Sequence, residues 1–245
     1  MLTVENLEVK FGKSLILHDI SLHIRQGEIV GIIGPNGCGK TTLLNAVSGF
    51  ITPENGSILF KNEDISDWPA YKRALQGIGR SFQTAGIFKE MTVEENLIIA
   101  IEHALKYPWW WKFSEKYNQK TDHLINEILE KIQLQSHKHS LAGILSGGQL
   151  RLLELMRLKL SGGSLLLIDE PTAGVSPLMR QILAKTIKEL AEDGLRSIVI
   201  VEHDLKFLFN LVDRIIVLVE GQKYLEGKPA EIQKDKRLQE VYFGT

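Results

Sequence analysis

The chain has 245 residues, of which 44% are hydrophobic and 24% charged, an ordinary composition for a globular protein. Its 29 basic and 30 acidic residues give a formal net charge of −1. This argues against a nucleic-acid partner, because proteins that bind nucleic acids usually carry a clustered excess of basic residues. The apolar runs are too short to span a membrane, the N-terminus lacks the build of a signal peptide, and the single cysteine, Cys38, excludes an internal disulfide. We therefore expect a cytoplasmic protein.

The first third of the chain is predicted to be rich in strands. LTVENLEV and ILHDISLHI alternate apolar and polar residues with a period of two, and EIVGIIG is a short apolar strand of the fully buried type. After EIVGIIG, Leu43, Leu44 and Val47 recur at helical spacing, and Gly49 is a typical helix stop. The strand GSILF, a short helix near residues 69–75 and the segment IGRSFQ follow.

The middle of the chain, from about residue 84 to 160, is predicted to be helical. Thr92 and Glu95 form a capping-box pair at the start of one helix. Leu124, Ile128 and Leu129 recur at the spacing of another helix.

The closing third alternates strands with helices. SLLLID, SIVIVEH and RIIVLV are predicted strands, and the helix between the first two begins at Ser176 and Pro177 and ends at Gly194. Alternation of this kind predicts an α/β fold with a mostly parallel sheet, here with a helical insert in the middle.

A glycine-rich segment between the strand EIVGIIG and the following helix matches the phosphate-binding P-loop pattern. The segment is GPNGCGKT, residues 34–41. Its glycines allow backbone N–H groups to point into one concavity, and the helix that follows adds its positive N-terminal end. We expect Lys40 to reach the β- and γ-phosphates of a nucleotide and Thr41 to ligate Mg²⁺ through its hydroxyl. A glycine-rich turn without a ligand is the alternative, and the complete match in its full context disfavours it.

Two adjacent carboxylates, Asp169 and Glu170, follow the apolar residues 165–168. They are predicted to lie at the carboxyl end of a parallel strand, where ligands bind in sheets of this type. We expect Asp169 to hold Mg²⁺ through water and Glu170 to polarise an attacking water. The alternative is a strand-terminal pair that simply meets solvent.

The tetrapeptide LSGG occurs twice, at 145–148 and at 160–163. The first copy precedes a predicted helix, so its Ser146, Gly147 and Gly148 lie at a helix N-terminus, where free N–H groups favour an anion. The second copy follows the same helix, and its glycines are typical of a C-terminal stop, where the helix dipole is negative. The first copy is therefore predicted to bind an anion and the second to be a connector.

These motifs, in this order, resemble those of the nucleotide-binding subunits of ATP-binding-cassette (ABC) transporters, and the resemblance covers nearly the whole chain. They correspond to the Walker A loop at 34–41, the Q-loop glutamine Gln83, the signature at 145–149, the Walker B segment at 165–170 and the switch histidine His203. The resemblance implies an α/β fold of the P-loop NTPase type, with a mostly parallel sheet, an N-terminal antiparallel β region and an inserted α-helical subdomain. It also implies a single ABC ATPase domain over 1–245, with a nucleotide-binding core at 1–83 and 161–245 and a helical subdomain at 84–160.

The resemblance further implies ATP and Mg²⁺ as cofactors and gives each motif residue a role. The residues expected to act in catalysis are Glu170, His203 and Gln83. The expected Mg²⁺ ligands are Thr41, Gln83 and Asp169. Phe11 is expected to stack on adenine. The other expected ATP-binding residues are Gly34, Pro35, Asn36, Gly37, Cys38, Gly39, Lys40, Thr41 and Thr42 of one chain and Leu145, Ser146, Gly147, Gly148 and Gln149 of a facing chain.

Members of this family form head-to-tail dimers that hold two ATP molecules between the Walker A loop of one subunit and the signature of the other. The expected partners are therefore a second ABC ATPase subunit, identical or different, membrane permease subunits and, indirectly, a solute-binding protein. GRSFQTAGIFKEMTVEENL and DEPTAGVSP resemble the class that imports branched-chain amino acids and its urea-importing relatives. This implies ATP hydrolysis coupled to import of a small solute, at the inner face of the cell membrane. Two alternatives are a soluble ABC-type ATPase of iron–sulfur assembly, repair or translation, and a non-catalytic regulatory nucleotide binder.

Two further features are particular to this chain. Trp109–Trp111 lie in the predicted helical insert and are expected either to contact a permease or lipid headgroups or to pack inside the insert. Cys38 lies inside the phosphate loop near Lys40, which predicts a lowered thiol pKa, with a small buried filler as the alternative.

Overall fold

The structure is a computed structural model that describes residues 1–82, 86–105, 115–192 and 194–243. Gln83 and Trp109–Trp111 therefore lie outside the described residues. The chain divides into two compact units. The core unit comprises Met1–Arg80, Ser164–Glu170 and Lys188–Thr245, and the helical unit comprises Ser81–Gly163 and Pro171–Ile187.

The strands belong to the core unit. In chain order they are β1 (Leu2–Phe11), β2 (Ser14–Ile24), β3 (Ile29–Ile33), β4 (Asn55–Phe60), β5 (Glu63–Asp64), β6 (Ile78–Arg80), β7 (Leu165–Asp169), β8 (Ser197–Val201), β9 (Arg214–Val219) and β10 (Gln222–Gly227).

Within the described residues these strands form two sheets. An antiparallel sheet has the order β2-β1-β4-β5, and a second sheet has the order β10-β9-β3-β8-β7-β6. All pairings in the second sheet are parallel except that of β9 with β10. The predicted fold class, a mostly parallel sheet beside an N-terminal antiparallel region, is thus confirmed.

As expected, the helices alternate with strands in the closing third of the chain and follow one another in the middle. In chain order they are α1 (Lys40–Ser48), α2 (Ala70–Leu75), α3 (Val93–Leu105), α4 (Glu115–Lys131), α5 (Gly147–Leu160), α6 (Pro177–Ala191), α7 (Leu205–Phe209), α8 (Pro229–Ile232) and α9 (Lys236–Phe243). None of the helices within the described stretches has the length and apolar character needed to cross a membrane.

The core unit is held together by apolar strands that are covered on both faces. Every residue of β3, β7 and β8 is buried, as expected for the central strands of a parallel sheet. The alternating strand β1 instead buries every second residue at its start, because one of its faces meets solvent. Leu43, Leu44 and Val47 of α1 pack into the same apolar core, as their spacing predicted.

The helical unit is built from amphipathic helices with local caps. The predicted capping box at the start of α3 is confirmed, since Glu95 accepts the Thr92 N–H at 2.7 Å and Thr92 Oγ1 accepts the Glu95 N–H at 3.1 Å. The predicted apolar stripe of α4 is shifted by one position. Ile125, together with Ile128 and Leu129, lies on the buried face, whereas Leu124 is 37% exposed, because the i, i+3, i+4 rows of a helix exclude the position before them.

Candidate active site

Three neighbouring strands of the parallel sheet bring the predicted site residues to one edge. β3, β8 and β7 are adjacent and parallel, so their carboxyl ends lie side by side. The phosphate loop follows β3, Asp169 ends β7 and Glu170 follows it, and His203 comes two residues after β8. Motifs far apart in sequence are thereby placed at the ligand-binding edge of one sheet.

The phosphate loop depends on glycines with unusual backbone geometry. Gly34 has φ +154°, and a Cβ built on it would lie 2.1 Å from the carbonyl oxygen of Leu218. Gly39 has φ +100° and is the N-cap of α1, so no side chain caps the first N–H groups of that helix. An uncapped helix N-terminus with a positive dipole is a physical site for a phosphate.

Lys40 is held against the phosphate loop by backbone carbonyl groups of the loop. Its ammonium donates to the carbonyl oxygens of Gly34 and Pro35, each at 2.8 Å, and the residue is 6% exposed. The loop thus encloses the positive charge that the sequence assigned to the nucleotide phosphates.

Asp169 is buried at the end of β7 and is bonded to two elements of the core unit. The Thr41 hydroxyl donates to its carboxylate, and Nη2 of Arg80 lies 3.5 Å from its Oδ2. Burial raises the pKa of Asp169, while the positive charge of Arg80 acts in the opposite direction. The two residues predicted to ligate Mg²⁺ in the described chain, Thr41 and Asp169, are therefore neighbours.

Arg80 is a site residue that the sequence reasoning missed. It ends β6, the strand beside β7, and Nη1 donates to the hydroxyl of Ser48 at 2.8 Å. Its guanidinium thereby joins α1 to the carboxylate of Asp169. The available signal was a basic residue at the carboxyl end of a strand in the segment IGRSFQ.

Glu170 and His203 form a direct pair. Nε2 of His203 lies 2.9 Å from Oε1 of Glu170, and the two side chains are 40% and 26% exposed respectively. Glu170 has φ +47° and its N–H donates to the carbonyl of Val201 at the end of β8. The carboxylate that was predicted to activate water is thus partly open to solvent and close to the predicted switch histidine.

Glu202 is a second residue that the sequence reasoning missed. It is 3% exposed, and its Oε2 accepts the N–H groups of His203 at 2.8 Å and Asp204 at 3.1 Å. A buried carboxylate that accepts two backbone amides fixes the turn after β8. The signal was a charged residue that directly follows an apolar strand.

The first LSGG copy begins a helix, as predicted. Ser146 is the N-cap of α5, its Oγ accepts the Gln149 N–H, and Gln149 Oε1 accepts the Ser146 N–H at 2.9 Å. Gly148 faces α6, because a Cβ there would lie 2.4 Å from Cγ of Met179. The second copy follows the end of α5, and Gly162 has φ +78°, so its predicted place as a connector is also confirmed.

Two further predictions concern single side chains. Phe11 ends β1 and is 53% exposed, so its ring is accessible to a planar ligand. The lowered thiol pKa predicted for Cys38 is wrong. Burial raises the pKa of the Cys38 thiol, and the opposing charge of Lys40, whose Nζ is 3.9 Å from Sγ, is too weak to reverse the effect.

The chain is similar to known proteins over its full length. The ABC transporter family matches residues 17–173. The high-affinity branched-chain amino acid transport ATP-binding protein LivG of Salmonella typhimurium is 34% identical over 250 residues, covering 100% of this chain and 98% of that protein. The ADP conformation of an ATP-binding cassette of an ABC transporter is 33% identical with a TM-score of 0.84, covering 100% of this chain and 99% of the other. A dimeric post-hydrolysis cassette bound to ADP and Pi is 25% identical with a TM-score of 0.80, covering 94% and 99%.

Proposed function

The chain belongs to the ABC transporter family and is an ATP-binding, ATP-hydrolysing subunit, and on that premise we propose that it powers the import of branched-chain amino acids or a chemically similar small solute. The proposed substrate class rests on the full-length similarity to LivG, whose name assigns it to branched-chain amino acid transport. The ATPase subunit itself binds nucleotide, and separate permease subunits carry the solute. We propose that the subunit docks on those permeases at the inner face of the cell membrane.

The proposed reaction is supported mainly by one observation, which is that the carboxyl ends of three strands lie side by side at one edge of the sheet. The phosphate loop, the Asp169–Glu170 pair and His203 leave the carboxyl ends of adjacent strands. In the proposed reaction the loop amides and the Lys40 ammonium bind the triphosphate. Phe11 stacks on the adenine ring.

The residues near Asp169 fit a Mg²⁺ ion. Thr41 hydroxyl and Asp169 carboxylate are hydrogen-bonded neighbours, and both present oxygen donors, which this hard cation prefers. We propose that these two side chains, together with Gln83, hold the ion. When bound with ATP, Mg²⁺ neutralises the negative charge that develops on the phosphates.

Hydrolysis requires a base and a group that senses the γ-phosphate. Glu170 orients a water for in-line attack and accepts its proton, because its carboxylate is partly exposed at the sheet edge. His203, 2.9 Å from Glu170, contacts the γ-phosphate and keeps the carboxylate in place. Glu202 supports this arrangement by holding the backbone at His203.

The second half of each ATP site is proposed to come from another ATPase subunit. The signature residues Ser146–Gly148 form an anion-favouring helix N-terminus in a chain that already has a complete phosphate loop. The similar cassette that is dimeric and bound to ADP and Pi supports a dimer of ATPase subunits. The facing subunit is a second copy or a related chain.

The test combines ATP turnover with dimer formation. The purified chain should release phosphate from Mg·ATP, and E170Q should lower kcat by at least about 100-fold, since that is the usual contribution of a general base. E63Q, a change of an exposed glutamate in β5, is the matched control and should keep the parent rate. With ATP, E170Q should reach dimeric mass in light scattering.

Two results would overturn the proposal. One is parental ATP turnover by E170Q, and the other is an ATP-saturated E170Q that stays monomeric even with a second ATPase subunit present. For the solute, cells lacking the chain should lose uptake of labelled leucine, and the parent but not E170Q should restore it. Unchanged leucine uptake in the deletion strain would reject the assigned substrate class.

A further inference from the structure

An open cavity of about 520 Å³ lies between α7 and α8 in the core unit. Pockets that bind small molecules enclose roughly 300–1,000 Å³, so this cavity is large enough to hold a metabolite. It is lined by lysine, aspartate, amide and apolar side chains, and none of the residues proposed above to bind or hydrolyse ATP is among them. The ATP site therefore does not account for the cavity.

The first wall of the cavity is one face of α7. Lys206, Phe209 and Asn210 recur at the i, i+3, i+4 spacing that puts side chains on the same side of a helix. Leu208 lies on the opposite face and is fully buried, and its Cδ2 is 3.4 Å from the position of a Cβ built on Gly31. The helix thus packs on β3 with one face and presents the other to the cavity.

The second wall comes from α8 and the residues at its two ends. Lys228 directly precedes the helix, Pro229 and Ala230 form its first turn, and Gln233 caps its C-terminus. Ile232 is 3% exposed and anchors α8 on the core. Each wall therefore supplies one lysine, one amide and an apolar surface.

Charges of both signs line the cavity without neutralising one another. Asp213 is fixed beside the start of the sheet, because its N–H donates to the Ile29 carbonyl at 2.8 Å and its Oδ2 accepts the Ile29 N–H at 2.9 Å. Lys206 and Lys228 are exposed on the two walls. Within the part of the chain that the structure describes, none of these three groups forms an ion pair with another side chain. All three charges are therefore available to a ligand.

This lining selects one chemical class of ligand. A molecule with only negative charge would meet the Asp213 carboxylate, and one with only positive charge would meet two ammonium groups. A zwitterion with an apolar body satisfies both signs of charge and also covers the apolar surface of Phe209 and Pro229. Free α-amino acids with apolar side chains have this chemistry, with the carboxylate toward the lysines and the ammonium toward Asp213.

α7 connects the cavity to the proposed switch histidine. The N-cap of the helix is Asp204, which follows His203 and accepts the Phe207 N–H through Oδ1 at 3.1 Å. The Glu202 carboxylate accepts the N–H groups of both His203 and Asp204. The backbone from Glu202 into the first turn of α7 is thus one hydrogen-bonded unit, so a restraint on α7 also restrains His203.

We propose that the cavity binds a free α-amino acid with an apolar side chain and that its occupancy slows ATP hydrolysis through α7. A ligand that contacts α7 and α8 at once ties the two helices together and hinders the adjustment of His203 to the γ-phosphate. The regulatory part of the inference rests on the proposed function, whose solutes belong to the same chemical class, whereas the binding part does not.

An NMR titration of the amide signals tests the site. Leucine should shift the signals of residues 206–213 and 228–233 with a Kd on the order of 1 mM, as expected for so small a ligand. Ketoisocaproate lacks the ammonium and isoamylamine lacks the carboxylate, so each should bind at least about threefold more weakly than leucine. The absence of shifts in both segments with leucine at about 20 mM would overturn the site.

Variants of the lining assign the charges of the ligand. D213N should weaken leucine binding at least about threefold and leave ketoisocaproate within about twofold, because it removes the charge and keeps an oxygen for the Ile29 N–H. K206M/K228M should weaken both ligands and changes exposed side chains only, so it tests the site even if D213N fails to fold. K234M, which changes an exposed lysine just beyond α8 and outside the cavity, is the matched control. Parental leucine binding by D213N or by K206M/K228M would overturn the proposal.

ATP turnover tests the regulatory part. Saturating leucine should lower kcat of the parent at least about twofold, with KM for ATP within about twofold, and should not change kcat of K206M/K228M. An unchanged parental kcat with leucine bound would overturn the regulation. A parent chain that releases no phosphate from Mg·ATP would reject the proposed function instead, and the NMR titration would still decide the site.

Discussion

Replacing Gly34 by alanine should be far more damaging than the same change at Gly37, although both lie in the phosphate loop and both have positive φ. A Cβ on Gly34 would lie 2.1 Å from the Leu218 carbonyl oxygen, roughly 1.4 Å short of an optimal contact of about 3.5 Å. Leu218 pairs with Lys223 in β9 and β10, so the obstacle is a backbone atom that cannot turn away. We expect G34A to cost at least about 3 kcal/mol of unfolding free energy, the upper end for overpacked sites.

Gly37 provides the matched control for G34A. It has φ +78° and nothing within 4 Å of an added Cβ, so G37A should cost only the left-handed strain of about 1–2 kcal/mol. Because Gly34 also supplies a carbonyl to Lys40, G34A should in addition weaken binding of a fluorescent ATP analogue by more than about tenfold. Urea denaturation followed by far-ultraviolet circular dichroism measures the two stabilities. Equal losses in the two variants would refute the steric reasoning.

Three further predictions concern other residues of the core unit. Arg73 is 1% exposed and donates to four backbone carbonyls, two of them in the last turns of α1. R73M removes the donor from all four carbonyl oxygens and should lose at least about 3 kcal/mol in urea denaturation, since one unsatisfied buried group costs about 1–3 kcal/mol; a loss below about 1 kcal/mol would contradict this. R80M should lower ATP turnover more than R80K does, because the lysine keeps a cation near Asp169; equal rates would exclude a role for that contact. Burial raises the pKa of the Cys38 thiol above its usual value, so at neutral pH its thiolate fraction is below that of a free thiol. Iodoacetamide should therefore react more slowly with Cys38 than with free cysteine, and faster as the pH rises, whereas rapid labelling at pH 7 would refute this.

The parts of the site that were predictable from sequence are those in which the chain order itself carries the signal. The phosphate loop needed only a strand, a glycine-rich segment and a helix in succession, and β3 and α1 flank it as expected. The two LSGG copies were distinguished by which end of α5 they occupy, and Ser146 and Gly162 lie at the two ends accordingly. Periodicity also predicted the buried character of β3, β7 and β8.

The contacts that were missed join residues distant in sequence. Arg80 lies 89 positions from Asp169, and Glu154 lies 68 positions from Gly86. Nothing in the local pattern of either segment identifies its partner, because strand order and helix packing decide which ends meet. The Cys38 error has a related cause. Proximity to Lys40 was visible in the sequence, but the degree of burial that outweighs it depends on the whole core.

The position of the Glu170 carboxylate depends on an unusual backbone conformation as well as on the contact with His203. At φ +47° the residue adopts a conformation that costs an L-amino acid about 1–2 kcal/mol, and it persists because its N–H donates to the Val201 carbonyl of the neighbouring strand. The chain therefore keeps its sheet bond at Glu170 while the side chain leaves β7 toward His203, which Glu202 holds from the end of β8. The Glu170 side chain remains 26% exposed in this arrangement. A carboxylate placed in this way fits the proposed role of Glu170, because it is held by the backbone and is still open to water.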